Sequence, residues 1–466
     1  MHVLIVNGKK MNSFALSIEA VYFFASRNNC VTYLDLNTFD FKFSTKKHFL
    51  RSTLETLKVS VGNRKISEKY GDYWKAVKTA VVWYRAAKIS LDPWNFKESE
   101  NDLPIGRVIK SLIARTMGSS HFELHECSPI QVLEIASKVS FSYLQTLRSI
   151  STSKFPIELG IAHGGRDAYS AGSILAFRDH EIPIKLLESG GVSTNWSLFD
   201  KSPHYSPDFW LRLKSTNEFE EMESISKWWE SRIKGSDHFR SEEWAHTRIE
   251  GLLPKDLPKD FISFFTTSDF EIPVFEDFDI FPGKYKNQIE ALRDLVTVTE
   301  RKNIHLVIRR HPNSLSSDGT DKECEMWQEF QEIPHVTYIG PKEKIDSISL
   351  ARMSKAVFTF KSSVGIESIW LGTPAFAMGP ARWAWTDELR TWDLATLEKT
   401  LCVDSIVNKN HSIRWATMMM KMDFPCIIFN EIHGNFAKIQ DLVIKNSKFG
   451  GRLENLIFLI ASKFVH

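Results

Sequence analysis

Two short clusters hold the side chains best suited to gripping an anion. Arg309-Arg310-His311-Pro312-Asn313 sets cations and a titratable imidazole just after an apolar run, and Lys361-Ser362-Ser363-Val364-Gly365-Ile366-Glu367 opens a helical pattern just after another. Hydroxyls and backbone N–H groups at a helix N-terminus form a seat for phosphate, and Gly365 has no side chain to block close approach. Arg309 and His311 can contact a phosphate or a departing nucleotide. Glu367 falls in the first turn of the same helix, where a carboxylate can accept ribose hydroxyls. Thr267 and Ser268 follow a third apolar run. Each cluster has a plainer reading: serines before a helix are usually N-caps, and a His-Pro is usually a turn. Two such clusters at strand ends of one sheet favour the anion-binding reading.

The elements that must position them alternate. Val3–Val6, Val31–Leu36, Ile157–Ile161 and Ile184–Leu187 read as strands of a first half, with helices over Phe14–Ala25, Ala168–Arg178 and Phe219–Ile233. The second half reads as strands Phe261–Phe265, His305–Ile308, Val336–Ile339, Ala356–Phe360 and Ala375–Met378, between helices Asn287–Arg301, Lys322–Phe330, Ile345–Met353 and Gly365–Leu371. Such alternation implies parallel sheets flanked by helices. In such sheets ligands bind beyond the carboxyl ends of the strands, where the clusters lie. The expected fold class is therefore α/β, with two Rossmann-like domains facing a cleft. The expected units are an N-terminal domain over 1–240 with a helical insertion at 46–150, a second domain over 258–425, and C-terminal helices over 426–466 packing back on the first domain. Lys234–Lys259, charged and punctuated by Gly251, Pro254 and Pro258, reads as the linker.

The pair of segments, Arg-Arg-His-Pro-Asn and Lys-Ser-Ser-Val-Gly-Ile-Glu-Ser followed by Leu371-Gly372-Thr373-Pro374, resembles the donor-site signatures of bacterial GT-B glycosyltransferases. More narrowly, it is similar to the His-Pro and Ser-Ser/Thr motifs of bacterial sialyltransferases and Kdo transferases, which bind the phosphate and nucleoside of a CMP-activated sugar. The stretch from Gly164 through Ser206 resembles the first domain of capsule and O-antigen biosynthesis proteins, with Gly164 where Asn is usual and Asp167 where an apolar residue is usual. The resemblance covers roughly 157–385. It implies transfer of a sugar from a CMP-linked donor to a lipopolysaccharide or other surface-polysaccharide acceptor. With Thr267 and Ser268 added from their place at a strand end, the expected donor-binding residues are Thr267, Ser268, Arg309, His311, Pro312, Asn313, Ser362, Ser363, Gly365 and Glu367.

An inverting transfer needs a base for the attacking hydroxyl, and a retaining one can use a carboxylate as nucleophile. Glu188, at a strand end before Gly190-Gly191, and Asp167, beside Gly164-Gly165-Arg166, are the candidates, with Glu188 preferred. The plainer reading of Asp167 is a helix N-cap, and that of Glu188 a salt bridge to Arg166. Gly165, Arg166 and His204 are assigned to the acceptor side, with His163 a weaker candidate. Asp277-Phe278-Asp279 has the D-x-D form of a metal site but sits in a loop-like acidic stretch, so no metal and no cofactor are expected. Leaving-group charge then falls to His311, Arg309 and the helix N-terminus.

Bulk properties narrow the class. The 466 residues carry 59 basic and 57 acidic side chains, a balance that gives no general attraction to nucleic acid. Five scattered cysteines form no C-x-x-C pair, which points to a reducing cytoplasm rather than a disulfide framework. No apolar stretch approaches the ~20 residues of a membrane span. The amphipathic stretch Leu453–Phe464 packs on the domain in the plainer reading and touches the inner membrane surface in the sharper one. Two further functions stay open: a non-catalytic nucleotide- or sugar-binding partner, and a GT-B-type epimerase or phosphotransferase.

Overall fold

The computed structural model describes residues 1–7, 11–27, 29–36, 105–117, 129–164, 167–200, 207–234, 249–268, 285, 287–312, 326–379, 381–384, 394–402, 407–422, 424–427, 430–432, 436–439 and 442–445. The first half is built on β1 (His2–Asn7), which is buried along its whole length. Such a strand must be covered on both faces, the situation of a parallel sheet between helices. β1 pairs in parallel with β2 (Cys30–Asp35) on one side and β3 (Leu159–His163) on the other. β4 (Ile184–Ser189) adds in parallel to β3, and β5 (Asn195–Phe199) turns back antiparallel onto β4. From β5 the order runs β5-β4-β3-β1-β2, so the direction of winding reverses between β1 and β3. Of the helices, α1 (Met11–Ala25) covers one face, with Leu16 and Ile18 buried in a cluster with Val3 and Ile5. α2 (Ile105–Met117), α3 (Pro129–Thr152) and α4 (Ala168–Asp179) follow. α3 and α4 meet through small residues, Ser142 Oγ lying 2.7 Å from Ser173 Oγ. α5 (Pro207–Ser215) and α6 (Met222–Lys234) end this half.

The second half is a five-stranded, wholly parallel sheet of β6 (Phe261–Phe265), β7 (His305–Arg309), β8 (Val336–Ile339), β9 (Val357–Thr359) and β10 (Ala375–Ala377). Its order is β10-β9-β6-β7-β8, so the chain moves outward from β6 to β8 and returns to the other side of β6 at β9. The crevice at such a reversal is where open α/β sheets take ligands. Flanking helices are α7 (Gln288–Arg301), capped by the Asn287 side chain on Glu290 N, α8 (Ser347–Met353), capped by Asp346, and α9 (Val364–Leu371). α10 (Leu394–Cys402) follows.

α11 (Asn410–Met420) carries the chain back to the first half. The Asn195 amide donates to Met420 O at 3.0 Å, and β11 (Phe424–Pro425) joins the first sheet antiparallel to β5. A continuous apolar core spans the two halves: Phe209, Leu213 and Trp229 pack in one cluster with Ile366, Trp383, Trp415 and Met419.

Several expectations shift. The strand read as Ile157–Ile161 runs from Leu159 to His163, and the helix read as Phe219–Ile233 starts at Met222. Phe424–Pro425, placed in the second domain, forms β11, and residues 426–445, read as part of a helical tail, contain three short strands, β12 (Glu431–Ile432), β13 (Phe436–Ile439) and β14 (Leu442–Lys445). The physical reason for the first is the unread edge strand β5, which offers unpaired backbone groups, and Phe424 packs on Trp196 at 4.7 Å. Most of 46–150 outside α2 and α3, the linker over 235–248 and the Leu453–Phe464 stretch lie outside the described residues. No helix among the described residues is long and apolar enough to cross a membrane.

Candidate functional site

At the carboxyl end of the second sheet, three segments are tied to one another. Thr266 Oγ1 accepts from the backbone N–H of His311 at 2.8 Å, joining the ends of β6 and β7. The backbone N–H of Lys361 donates to Thr267 Oγ1 at 3.2 Å, joining the ends of β6 and β9. Gln288, buried at the start of α7, clamps Thr267 from both sides: its Oε1 accepts from Thr267 N and its Nε2 donates to Thr267 O, each at 2.9 Å. Ser268 Oγ lies 2.9 Å from His311 Nδ1. The contact at Nδ1 fixes the orientation of the ring. Thr267, Ser268, His311, Ser362 and Ser363 therefore belong to one array around the β6–β9 reversal, and Pro312 follows the imidazole directly.

The Ser362–Ser363 loop is held from behind by Trp383. Its indole N–H donates to Ser362 O at 2.8 Å. The same ring fills the space beside Gly365, where a Cβ would lie 2.1 Å from Trp383 Cζ2. The glycine is thus required by the indole, not only by a ligand. Ser363 makes no side-chain cap bond to α9. The N–H groups of Val364 and Gly365 reach Ser362 Oγ and Ser362 O at 3.4 and 3.3 Å. Bonds that long are weak, and a phosphate oxygen is a stronger acceptor for either N–H.

Two residues of the sequence-predicted donor set are engaged elsewhere. Arg309 is 2% exposed, and its guanidinium donates to the carbonyls of Gly340 and, at 2.9 Å, Glu343. Burial lowers its pKa to about 10, so it stays charged at neutral pH and fastens the loop after β8. Glu367 is fully buried and pairs with Arg232 of α6, Oε1 lying 3.1 Å from the guanidinium. Its carboxylate faces the first half of the chain. Arg310 stacks over Trp327 at 4.1 Å and donates to the Tyr338 hydroxyl.

At the carboxyl end of the first sheet, the fully buried Asn7 ends β1, His163 ends the adjoining β3, and Glu188 lies near the end of β4, one strand further on. His163 Nε2 lies 3.8 Å from Glu188 Oε1, and both side chains are largely buried. Ser189 N donates to Glu188 Oε1 at 3.2 Å. Gly164 between them has φ +45°, and a Cβ there would sit 3.0 Å from Glu188 Oε2, so this turn calls for glycine on two counts. Asp167 is the N-cap of α4. It accepts from Tyr169 N at 3.0 Å, Ser170 N at 3.1 Å and the Ser170 hydroxyl at 2.6 Å. Gly165, Arg166, His204, Asn313, Asp277 and Asp279 lie outside the described residues. Among the described residues no group of three or more His, Cys, Asp or Glu is placed to hold a metal ion.

Sequence reasoning missed Gln288, Trp383, His163 as the partner of Glu188, and Arg232. A buried glutamine just after a helix N-cap was the one local signal for the first. The tryptophan and the arginine act across long sequence separations and carry none.

No protein-family model and no curated protein matches the sequence. Among solved structures the chain is similar to KpsC, a β-Kdo 2,4-transferase of Thermosulfurimonas dismutans, at 14% identity over 56% of this chain and 87% of that one, with a TM-score of 0.33. It is similar to the UDP-GlcNAc 2-epimerase of Neisseria meningitidis bound to UDP-GlcNAc, at 11% identity over 90% and 98% of the chains, with a TM-score of 0.33. The spinosyn rhamnosyltransferase SpnG aligns over 91% of this chain and 98% of its own at 11% identity, with a TM-score of 0.23.

Proposed function

We propose that this protein transfers a glycosyl group from a nucleotide-activated sugar, CMP-linked by preference, to a hydroxyl of a surface-glycan acceptor, without a metal ion. The observation that carries the reading is the array of Thr267, Ser268, His311 and Ser362 around the reversal of a parallel sheet, at the start of α9. Its hydroxyls, imidazole and weakly bonded N–H groups suit a phosphate whose charge grows as the glycosyl bond breaks. The CMP preference rests on the sequence resemblance alone.

In this reading Glu188 takes the proton of the acceptor hydroxyl. The acceptor oxygen bonds to the anomeric carbon, the bond from that carbon to the phosphate oxygen breaks, and the nucleotide leaves with the electron pair. His311 and Ser362 offset the charge on the departing phosphate. Glu188 is preferred over Asp167 because all three short contacts of Asp167 serve its own helix. The test is release of nucleotide from CMP-, UDP- and GDP-sugars, with and without oligosaccharide acceptors and with EDTA. Release that survives EDTA supports the proposal. No release from any donor, or release abolished by EDTA, contradicts the corresponding part.

A second reading has its own observation. Epimerisation of a nucleotide sugar needs one group to take a proton and another to return it, and His163 and Glu188 face each other at 3.8 Å. Deuterium entering a nucleotide sugar from D2O without any acceptor would favour it.

A further inference from the structure

α6 touches both half-sites from one face. Trp228 and Arg232 stand one turn apart on it, the spacing that places side chains together on a helix. The Trp228 indole donates to Gly191 O at 3.3 Å, just past β4 and Glu188. Arg232 reaches Glu367 in the first turn of α9, at 3.1 Å, with side-chain exposures of 10% and 1%. The Ser363 hydroxyl in turn donates to Glu367 Oε1 at 3.4 Å. Between them Trp229 stacks on Trp370 of α9, with centroids 5.6 Å apart and planes 13° from parallel. A buried carboxylate one turn from an anion seat repels the anion it should receive, unless a cation sits on it.

We propose that Arg232 is a positioning residue for the phosphate seat: through Glu367 it cancels the nearby negative charge and orients Ser363. The proposal rests on the nucleotide-binding reading above. The Ser363 bond to Glu367, at 3.4 Å, is weak, and a phosphate oxygen can replace it. The first half of the chain thereby sets the donor loop of the second, and the buried ion pair serves ligand geometry as well as folding.

The experiment is titration of the full-length protein with CMP, and in parallel with UDP, by calorimetry. R232M removes the guanidinium 3.1 Å from the buried Glu367 carboxylate; it is expected to be less stable and, where folded, to bind nucleotide about tenfold more weakly. The R232M/E367M pair replaces the ion pair with apolar side chains of similar length, an exchange that folded proteins often tolerate. The double variant is expected to unfold cooperatively and to bind nucleotide close to the parent, because charge and counter-charge leave together. R232K, which keeps the charge and loses the planar fork, is expected to weaken binding about threefold while folding normally. Parental affinity in R232K or in folded R232M, or equal losses in R232M and the double variant, overturns the proposal and leaves nucleotide binding intact. A parent protein that binds neither nucleotide overturns the functional reading, and this proposal with it.

Discussion

At the scale of single residues, the groups placed to face a ligand differ from those that hold the structure. His311 is fixed by Ser268 on one ring nitrogen, and its backbone by Thr266. His311→Ala is expected to lower nucleotide affinity or turnover by about 10² while leaving thermal unfolding unchanged, read by calorimetry and melting. The two carboxylates of the first half are separable because Asn caps a helix as well as Asp does. Asp167→Asn is expected to keep both stability and turnover, whereas Glu188→Gln should keep nucleotide binding and lose transfer. Turnover lost in Asp167→Asn and kept in Glu188→Gln would exchange their roles. These residues were legible in the sequence because polar clusters after apolar strands stand out. The destination of the Arg309 and Glu367 side chains was not, since it depends on Gly340, Glu343 and Arg232, which only the folded chain brings near.

At the scale of elements, the strands of the second half were readable almost residue by residue. Phe261–Phe265 is a short, mostly apolar run buried along its length, and Val336–Ile339 is a half-buried β-branched and aromatic run between Pro334 and Gly340. β5 and β11 were not readable. β5 is a five-residue antiparallel return, and β11 exists only because that edge is there to pair with. α9 is the element on which most depends. Gly365→Ala puts a methyl into the Trp383 indole, so overpacking is expected to cost about 1–3 kcal/mol. Displacing the indole also loosens its bond to Ser362 O, so nucleotide affinity should fall in the same variant. Denaturant unfolding and a nucleotide titration on one sample check both. Stability lost with unchanged affinity would detach the indole from the site.

At the scale of the whole molecule, one apolar core runs through both halves, and α11 returns the chain to where it began. Trp229 is fully buried in that core against Trp370. Trp229→Ala is expected to cost about 3–5 kcal/mol of stability, measured by chemical denaturation. The two-sheet outline followed from alternating strands and helices, but the shared core did not: its tryptophans at 229, 370, 383 and 415 belong to four separate segments. The central claim is that the reversal point of the second sheet receives the phosphate of a nucleotide. Its most direct test is calorimetric titration of CMP, UDP and GDP into the parent protein, Ser362→Ala and His311→Ala. Saturable binding by the parent with a Kd of roughly 1 mM or tighter, weakened about tenfold or more in each variant, is the predicted result. Equal binding by all three proteins, or none by the parent, would contradict it.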